Sequence, residues 1–315
     1  MDAIRYNNII LKIRPAARAD REEVLKFCIH TFEWGDYIDQ VWDLWYSDQA
    51  GLLLVVEEED SLHDKKQSSV LALSHVSLCP NKNNIWLEGI RVNPNYRRRY
   101  IATQLINKMI AYGQEQGANK ASAIVSKKNI ASQLMMERNG FIVISKWNYY
   151  NTNNIPRRVD KAKLGSKVAT LKDIQLIRDY LRHSEVYKLS GGTYVKSWKW
   201  YPLNLYSSTL ADLIENKKVL LNGNNNPIEG IAIINRDRHW NKSNNNDTFQ
   251  IVYLDASNVS ALKDLISFVI NLIHSEDAIY DRLQVYSSQI TYASAVMEQT
   301  GIIKPEEFLL YKREI

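Results

Sequence analysis

Three arginines, Arg97, Arg98 and Arg99, stand between a strand-like segment and a helix-like one. Upstream, Trp86, Glu88, Ile90 and Val92 alternate with Leu87, Gly89 and Arg91, the period-2 signature of a strand. Pro94 breaks that strand, and beyond Tyr100 the apolar residues Ile101, Leu105, Ile106, Met109 and Ile110 recur at helical spacing. A strand feeding a short basic turn and then a helix makes an anion site. Unpaired backbone N–H groups and the positive end of the helix dipole converge there. Guanidinium groups add full charge and match phosphate oxygens in shape. Carboxylates accompany this site. Glu88 is on the strand, and Glu33, Asp36, Asp39 and Asp43 fall in the aromatic-rich stretch HTFEWGDYIDQVWDLWYSD, residues 30–48. Aromatic walls with carboxylates suit a cationic or amphipathic amine.

The pattern Val92-x-Pro94-x-Tyr96-Arg97-x-Arg99-x-Ile101-Ala102-x-x-Leu105 resembles the acetyl-CoA signature of the GNAT acyltransferase superfamily. The resemblance implies that the turn, over Arg97, Arg98, Arg99, Tyr100, Ile101, Ala102 and Thr103, cradles the coenzyme A pyrophosphate. It also implies that the main chain at Ile90, Arg91 and Val92 bonds the pantetheine arm, with Asn129 capping the second helix and touching that arm. The chain departs from the pattern twice. Tyr100 stands where the family has its middle glycine, and Met136 where it has the tyrosine that protonates the leaving thiolate.

Amine attack on a thioester needs a route for the ammonium proton, hydrogen bonds for the oxyanion and a proton for the thiolate. Main chain near Ile90 or Arg91 can serve the oxyanion. Glu88 is the first candidate base, with Glu33 and Asp36 behind it; Tyr149, Tyr150, a water or nothing at all replaces the missing acid, Tyr149 being the nominal choice. The acceptor is expected against Glu33, Trp34, Asp36 and Tyr37, with the carboxylate of Asp36 on the amine; Trp42 and Trp45, three apart on a helix, read as core. The GDYI segment with the WLEGIRV strand resembles a subgroup that includes histidine N-acetyltransferase-like proteins and archaeal two-domain chains.

These residues need elements to hold them. Ile9 to Arg14 reads as a strand, and Asp20 as the cap of a helix from Arg21 with Glu23 at its third position. Gly51 to Glu57 and Val70 to Leu78 form a hairpin around a charged turn, and Trp86 to Val92 follows. The helix after the basic turn stops at Gly117; then come strand 120–125, a helix from Asn129 to Gly140, and strand 141–150. The order matches a GNAT domain over residues 9 to 150. Residues 151–163 are polar, carry Pro156 and read as a linker.

Residues 164–315 look like a worn second copy. KVATLKDIQLIRDYL at 167 parallels KIRPAARADREEVLKF at 12, and ASAVMEQTGI at 293 parallels SQLMMERNGF at 132. The second junction, IVYLDASNVSAL, has no arginine and no Val-x-Pro step; Ser257 or Asn258 simply caps a helix. Trp198, Trp200 and Tyr201 make a short aromatic run that must be buried or used, and two asparagine-rich tracts, 222–226 and 241–246, read as loop tips.

The chain of 315 residues is long enough for two domains, and its 45% hydrophobic and 24% charged content is that of a globular protein. A net charge of +5 without a basic, aromatic-interleaved stripe argues against a nucleic-acid surface. Two cysteines, Cys28 and Cys79, imply no disulfide framework and a reducing compartment. His30, His63, His75, His183, His239 and His274 lack metal-ligand spacing, so no metal is expected. With no signal-type segment and no apolar run near ~20 residues, a cytoplasmic protein off the membrane is expected; its oligomeric state is open, with a homodimer as one option. The expectation is thus an α/β (α+β) protein of tandem GNAT-like domains, each a mixed, mostly antiparallel twisted sheet flanked by helices. The boundaries are 1–150 catalytic, 151–163 linker and 164–315 degenerate. Its activity is acetyl-CoA-dependent N-acetylation of a small amine such as an amino acid. The alternatives are a protein lysine or N-terminal acetyltransferase and a non-catalytic acyl-CoA sensor.

Overall fold

The computed structural model describes residues 3–6, 9–33, 35–59, 69–80, 82–158, 165–223, 227–236, 247–276, 280–288, 292–302 and 306–315. Trp34, most of the charged turn with His63, His239, the end of the linker, the end of the first asparagine tract and all of the second lie outside the described residues.

The first half runs β1 (Ala3–Tyr6), β2 (Ile9–Pro15), α1 (Arg21–Cys28), α2 (Ile38–Tyr46), β3 (Gly51–Glu59), β4 (Val70–Leu78), β5 (Asn84–Val92), α3 (Ile101–Glu115), β6 (Lys120–Ser126), α4 (Ile130–Arg138) and β7 (Ile142–Thr152). Strands β1 to β5 pair in sequence order, all antiparallel, and β5 then runs parallel to β6. The order has a physical reason. The central strand β4 reads VLALSHVSL and is buried at nearly every position, as a strand covered on both faces must be. Val24, Cys28, Ile38, Val41, Trp42 and Trp45 of α1 and α2 pack on Leu53, Val55, Val70 and Leu73 of the sheet. Helix α3 turns Ile101, Leu105, Ile106, Met109 and Ile110 inward. Its Gly113 leaves room for Ile85, whose Cδ1 lies 2.7 Å from where a β-carbon would stand.

The second half runs β8 (Ser166–Val168), α5 (Ile174–His183), α6 (Glu185–Leu189), β9 (Thr193–Lys196), β10 (Lys199–Pro202), α7 (Ser208–Glu215), β11 (Val219–Asn222), β12 (Gly230–Asn235), β13 (Asp247–Ala256), α8 (Val259–Ile273), β14 (Tyr280–Ser288), α9 (Ala293–Gln299) and β15 (Glu306–Glu314). Here β8, β11, β12 and β13 pair antiparallel in that order, and β13 runs parallel to β14. The core gathers Leu262, Leu265, Ile266, Val269 and Ile270 of α8 under Phe249, Ile251 and Leu254 of β13.

Local geometry repeats between the halves. Asp20 ends a 3-10 turn (Arg18–Asp20), takes the Ala17 N–H at 2.6 Å and pairs with Arg14 at 2.7 Å. Asp173 ends a 3-10 turn (Leu171–Asp173), takes the Thr170 N–H at 2.9 Å and pairs with Lys167 at 2.8 Å. After α4, Phe141 N–H bonds Met136 O with Gly140 at φ 79°; after α9, Ile302 N–H bonds Met297 O with Gly301 at φ 78°. One expectation is corrected. The side chain of Asp20 does not cap α1, because Arg14 and the preceding turn already occupy its oxygens.

The compact units interleave along the chain. One comprises residues 1–124, 130–142 and 311–315, the other 125–129 and 143–310. Strand β7, which ends the first half of the sequence, pairs antiparallel with β14 within the second unit. The chain's last residues complete the first: Ile315 N–H bonds Asn119 O at 2.9 Å, and Arg313 donates to Asn139 O at 2.7 Å. The consecutive division at 150 and 164 follows the repeat in the sequence, while the compact units follow these residue sets. No helix among the described residues is long and apolar enough to cross a membrane.

Candidate active site

The site starts from a defect in a ladder. Strands β4 and β5 pair regularly from Leu78↔Ile85 to His75↔Glu88, then slip, so that Leu73 faces Arg91. Ser74 alone stands against Gly89 and Ile90, which is a β-bulge. Gly89 carries it at φ 66°, and a β-carbon there would lie 2.5 Å from the Trp45 ring. The slip turns Glu88 and Arg91 to one face. On the other side, β5 pairs with β6 only from Asn84↔Lys120 to Trp86↔Ser122. The two strands then part, leaving the β6 side of residues 87 to 92 outside that ladder.

Around the bulge, side chains are held tightly. Glu88 Oε1 lies 2.9 Å from His75 Nδ1, and His75 Nε2 lies 3.5 Å from Asp48 Oδ2. The His75 ring is fully buried and stacked on Trp45, with centroids 4.8 Å apart and planes 7° apart. Arg91 donates from Nε to Asp36 Oδ2 at 2.7 Å and from Nη2 to Asp36 Oδ1 at 3.2 Å. Its guanidinium also sits 5.1 Å from the ring centres of both Phe32 and Tyr37. Burial alone would lower the Arg91 pKa; Tyr37 and then Asp36 hold it above its ordinary value. Burial pushes the Tyr37 phenol up against the pull of Arg91, and the charges of Glu88 and Asp36 add to the rise. Asp36 was expected to receive the acceptor amine. Its two oxygens are instead on Arg91, and Oδ1 also takes the Ile38 N–H at 3.2 Å, so it orients Arg91 and opens α2. Glu33 is exposed.

The basic turn follows at once. Asn93 closes it by accepting the Asn95 N–H at 3.1 Å. Arg97 Nε donates to Val92 O at 3.3 Å, and Arg99 lies 4.9 Å over the Tyr96 ring. Tyr100 is the N-cap of α3 at φ 59°, ψ 10°, and its side chain makes no capping bond. This left-handed backbone is the one glycine adopts freely, so Tyr100 keeps the conformation while adding a ring that is 75% exposed. Ile101 is buried, and Ala102 and Thr103 are half-buried. The first N–H groups of α3 thus open beside three arginines with no side-chain cap.

Two of the expected residues belong to the other compact unit. Asn129 directly precedes α4 and is exposed. Tyr149 belongs to the other compact unit, packed on Trp198, Tyr286 and Phe308 with ring centres 4.9, 5.2 and 6.3 Å away. Burial pushes its phenol up to about 12. Sequence reasoning passed over His75 and Asp48. The His75–Glu88 pair follows from the register of the β4–β5 hairpin, which depends on turn type as well as loop length and is not legible from the strand ends at 78 and 86. Cys28 and Cys79 are free, buried thiols, and burial pushes Cys28 up to about 12.

Residues 20–141 match the family model described as the Acetyltransferase (GNAT) family. These residues form a GNAT-type acetyltransferase domain, and the chemistry of that family is acetyl transfer. No curated protein sequence matches the chain. Solved structures similar to it extend over both halves. A GCN5-related N-acetyltransferase from Sphaerobacter thermophilus is 11% identical over 96% of this chain and 95% of its own, with a TM-score of 0.57. An acetyltransferase described as putative from Thermoplasma acidophilum is 13% identical over 96% and 100%, with a TM-score of 0.55. A tandem GNAT protein from the clavulanic acid biosynthesis pathway is 10% identical over 96% and 98%, with a TM-score of 0.51. At these identities the likeness is one of fold. Within the GNAT domain, Met136 is 1% exposed on α4, so the position that departs from the family pattern is filled by core packing.

Proposed function

We propose that the chain transfers an acetyl group from acetyl-CoA to the amine of a small molecule, with Glu88 as the base. The observation that carries this reading is the Gly89 bulge beside the parting of β5 and β6. It puts a carboxylate next to main-chain groups of residues 87 to 92 that β6 does not pair, one turn before an uncapped helix start among arginines. In this reading the amides from Arg97 to Thr103 hold the pyrophosphate. Ile90, Arg91 and Val92 hold the pantetheine arm through the main chain, with Asn129 beside it. Acetyl-CoA supplies the activated acetyl group; the chain's own groups orient it and remove the ammonium proton. The Arg91–Asp36 pair braces Tyr37, and Tyr37 with Glu33 and Trp34 borders the acceptor. Because that carboxylate is spent on Arg91, the amine is left to Glu88. Tyr149 holds its proton at neutral pH, as an acid must, and stays the nominal donor to the thiolate, with Tyr150 or a water as the alternatives.

We further propose that residues 1–150 supply the coenzyme site and that 164–315, joined through 151–163, are a degenerate copy. The experiment is thiol release from acetyl-CoA in the presence of pooled free amino acids, polyamines and amino sugars, in wild type and Glu88→Gln. Turnover that depends on the amine pool and falls at least 100-fold in Glu88→Gln supports the reading. No amine-dependent release, together with a melting curve unmoved by millimolar acetyl-CoA, overturns it in favour of a non-catalytic protein.

A further inference from the structure

His75 is a fully buried imidazole that the acetyl-transfer reading does not use. One nitrogen meets Glu88 at 2.9 Å, and the other approaches Asp48 at 3.5 Å without forming a hydrogen bond. Two absent β-carbons make the arrangement fit. At Gly51 a β-carbon would lie 2.4 Å from Asp48 Oδ2 and 2.8 Å from His75 Nε2. At Gly89 it would lie 2.5 Å from Trp45, the ring that fixes the imidazole plane. An imidazole pinned on its face by an indole, with each nitrogen facing a carboxylate, has no rotational freedom to spare. Glu88, by contrast, is the last paired residue before the bulge, and the ladder beyond it is broken at Gly89 and Ile90.

We propose that His75 is a positioning residue for Glu88. Its Nδ1–H donates to Glu88 Oε1 and fixes the direction of that carboxylate, while Trp45 holds the ring from its face and Asp48 stands 3.5 Å from its far nitrogen. The inference rests on Glu88 being the base. The charged and titratable groups facing this chain are Asp48 after α2, Tyr37 at the start of α2, Asp36 before it, Arg91 on β5, and Tyr112 of α3, whose phenol feels the charge of Asp48. A side chain that only filled space could be replaced by another planar ring. A positioning donor could be replaced by another donor at the same place.

The test uses the full chain, acetyl-CoA and the same amine pool. His75→Phe is expected to lower turnover about 100-fold, the loss that follows when a reacting group is misplaced by about 1 Å, with the KM for acetyl-CoA unchanged. His75→Asn, whose amide nitrogen stands near the site of Nδ1, is expected within about tenfold of wild type. A folded His75→Phe with wild-type turnover overturns the proposal, as does equal loss in both variants. If Glu88→Gln is inactive while His75→Phe is not, positioning fails and the base reading stands. If Glu88→Gln is fully active, the base reading itself is lost. A second measurement holds should His75→Phe not fold. In protein labelled with nitrogen-15 histidine, the Nδ1–H proton of His75 must be seen protected from exchange, and Glu88→Ala must abolish that protection. A His75 with no proton on Nδ1, or one indifferent to Glu88→Ala, overturns the assignment without any acceptor.

Discussion

Replacing Tyr100 with glycine should make the protein more stable, although the change removes a large aromatic side chain. Tyr100 occupies φ 59°, ψ 10° at the start of α3 and is 75% exposed, so its ring contributes little packing. A non-glycine residue in the left-handed region costs roughly 1–2 kcal/mol. Glycine gives back about 0.4–1 kcal/mol through the greater freedom of the unfolded chain. The difference is a gain of about 0.5–1 kcal/mol, or about 1–3 °C in melting temperature for a chain of this size. Tyr100→Ala is the control. It removes the same ring and keeps the strained backbone, so its stability should stay within about 0.5 kcal/mol of wild type. Scanning calorimetry with and without acetyl-CoA reads both effects. Glycine should also let phosphate nearer to the turn amides, and each tenfold gain in affinity adds about 1.4 kcal/mol of ligand-dependent stabilisation at saturation. Equal melting of the glycine and alanine variants would refute the argument, because the ring and not the backbone would then be at fault.

Asp36→Asn should cost about 3 kcal/mol in denaturant unfolding, because it strands the half-buried Arg91 charge between two aromatic rings; a loss below 1 kcal/mol would show that the pair is not structural. Gly89→Ala should cost about 2–4 kcal/mol and abolish turnover, since the backbone is left-handed and the new carbon meets Trp45 at 2.5 Å. Burial raises the Asp20 carboxyl, but Arg14 and the Ala17 N–H outweigh it and hold it below the usual carboxylate range. Such a group stabilises above its unfolded pKa and loses that contribution as pH falls through the folded one. The stability gap between wild type and Asp20→Asn should therefore be constant above about pH 5 and close below about pH 4; a gap that widens in acid contradicts the ion pair.

What the sequence disclosed followed local rules. Period-2 alternation located β5, the apolar 3.6 spacing located α3, and Asn258 caps α8 through the Ala261 N–H at 2.9 Å as its residue type implies. The Met-Glu and glycine offsets of the repeat return as the same turn after α4 and α9. The misses were non-local. The destinations of β7 and β15 depend on which strand edges compete for them, and no pattern within either strand records that. Gly51 and Gly89 read as ordinary strand residues, because what excludes a β-carbon is His75, Asp48 or Trp45 arriving from elsewhere. Asp36 was misread for the same reason. Its partner Arg91 is 55 residues away and comes into reach only through the slip in the β4–β5 ladder.

The two junctions share a strand pairing and differ in what lies beside it. Like β5 and β6, strands β13 and β14 are parallel neighbours that pair only briefly, from Asp247↔Tyr280 to Ile251↔Val285, before the ladder ends. In the first half, the end of the leading strand runs into uncapped amides and arginines. In the second, Tyr292 donates its hydroxyl to Ala256 O, taking a main-chain acceptor at the end of β13. Beside it, Asp255 accepts hydroxyls from Ser184 at 2.6 Å, Tyr253 at 2.8 Å and Tyr180 at 3.0 Å. Burial pushes that carboxyl above its usual range in spite of the three donors. A coenzyme arm would have to displace Tyr292 and face a buried acid where the first half offers cations. Both costs are paid before any phosphate contact forms, and Asn258 has already taken an N–H at the start of the following helix. Titration calorimetry with coenzyme A should accordingly find one site per chain, and Arg97→Ala with Arg99→Ala should remove it. Two sites, or one site indifferent to those arginines, would show that the closed junction opens and that the fillings do not decide where the coenzyme binds.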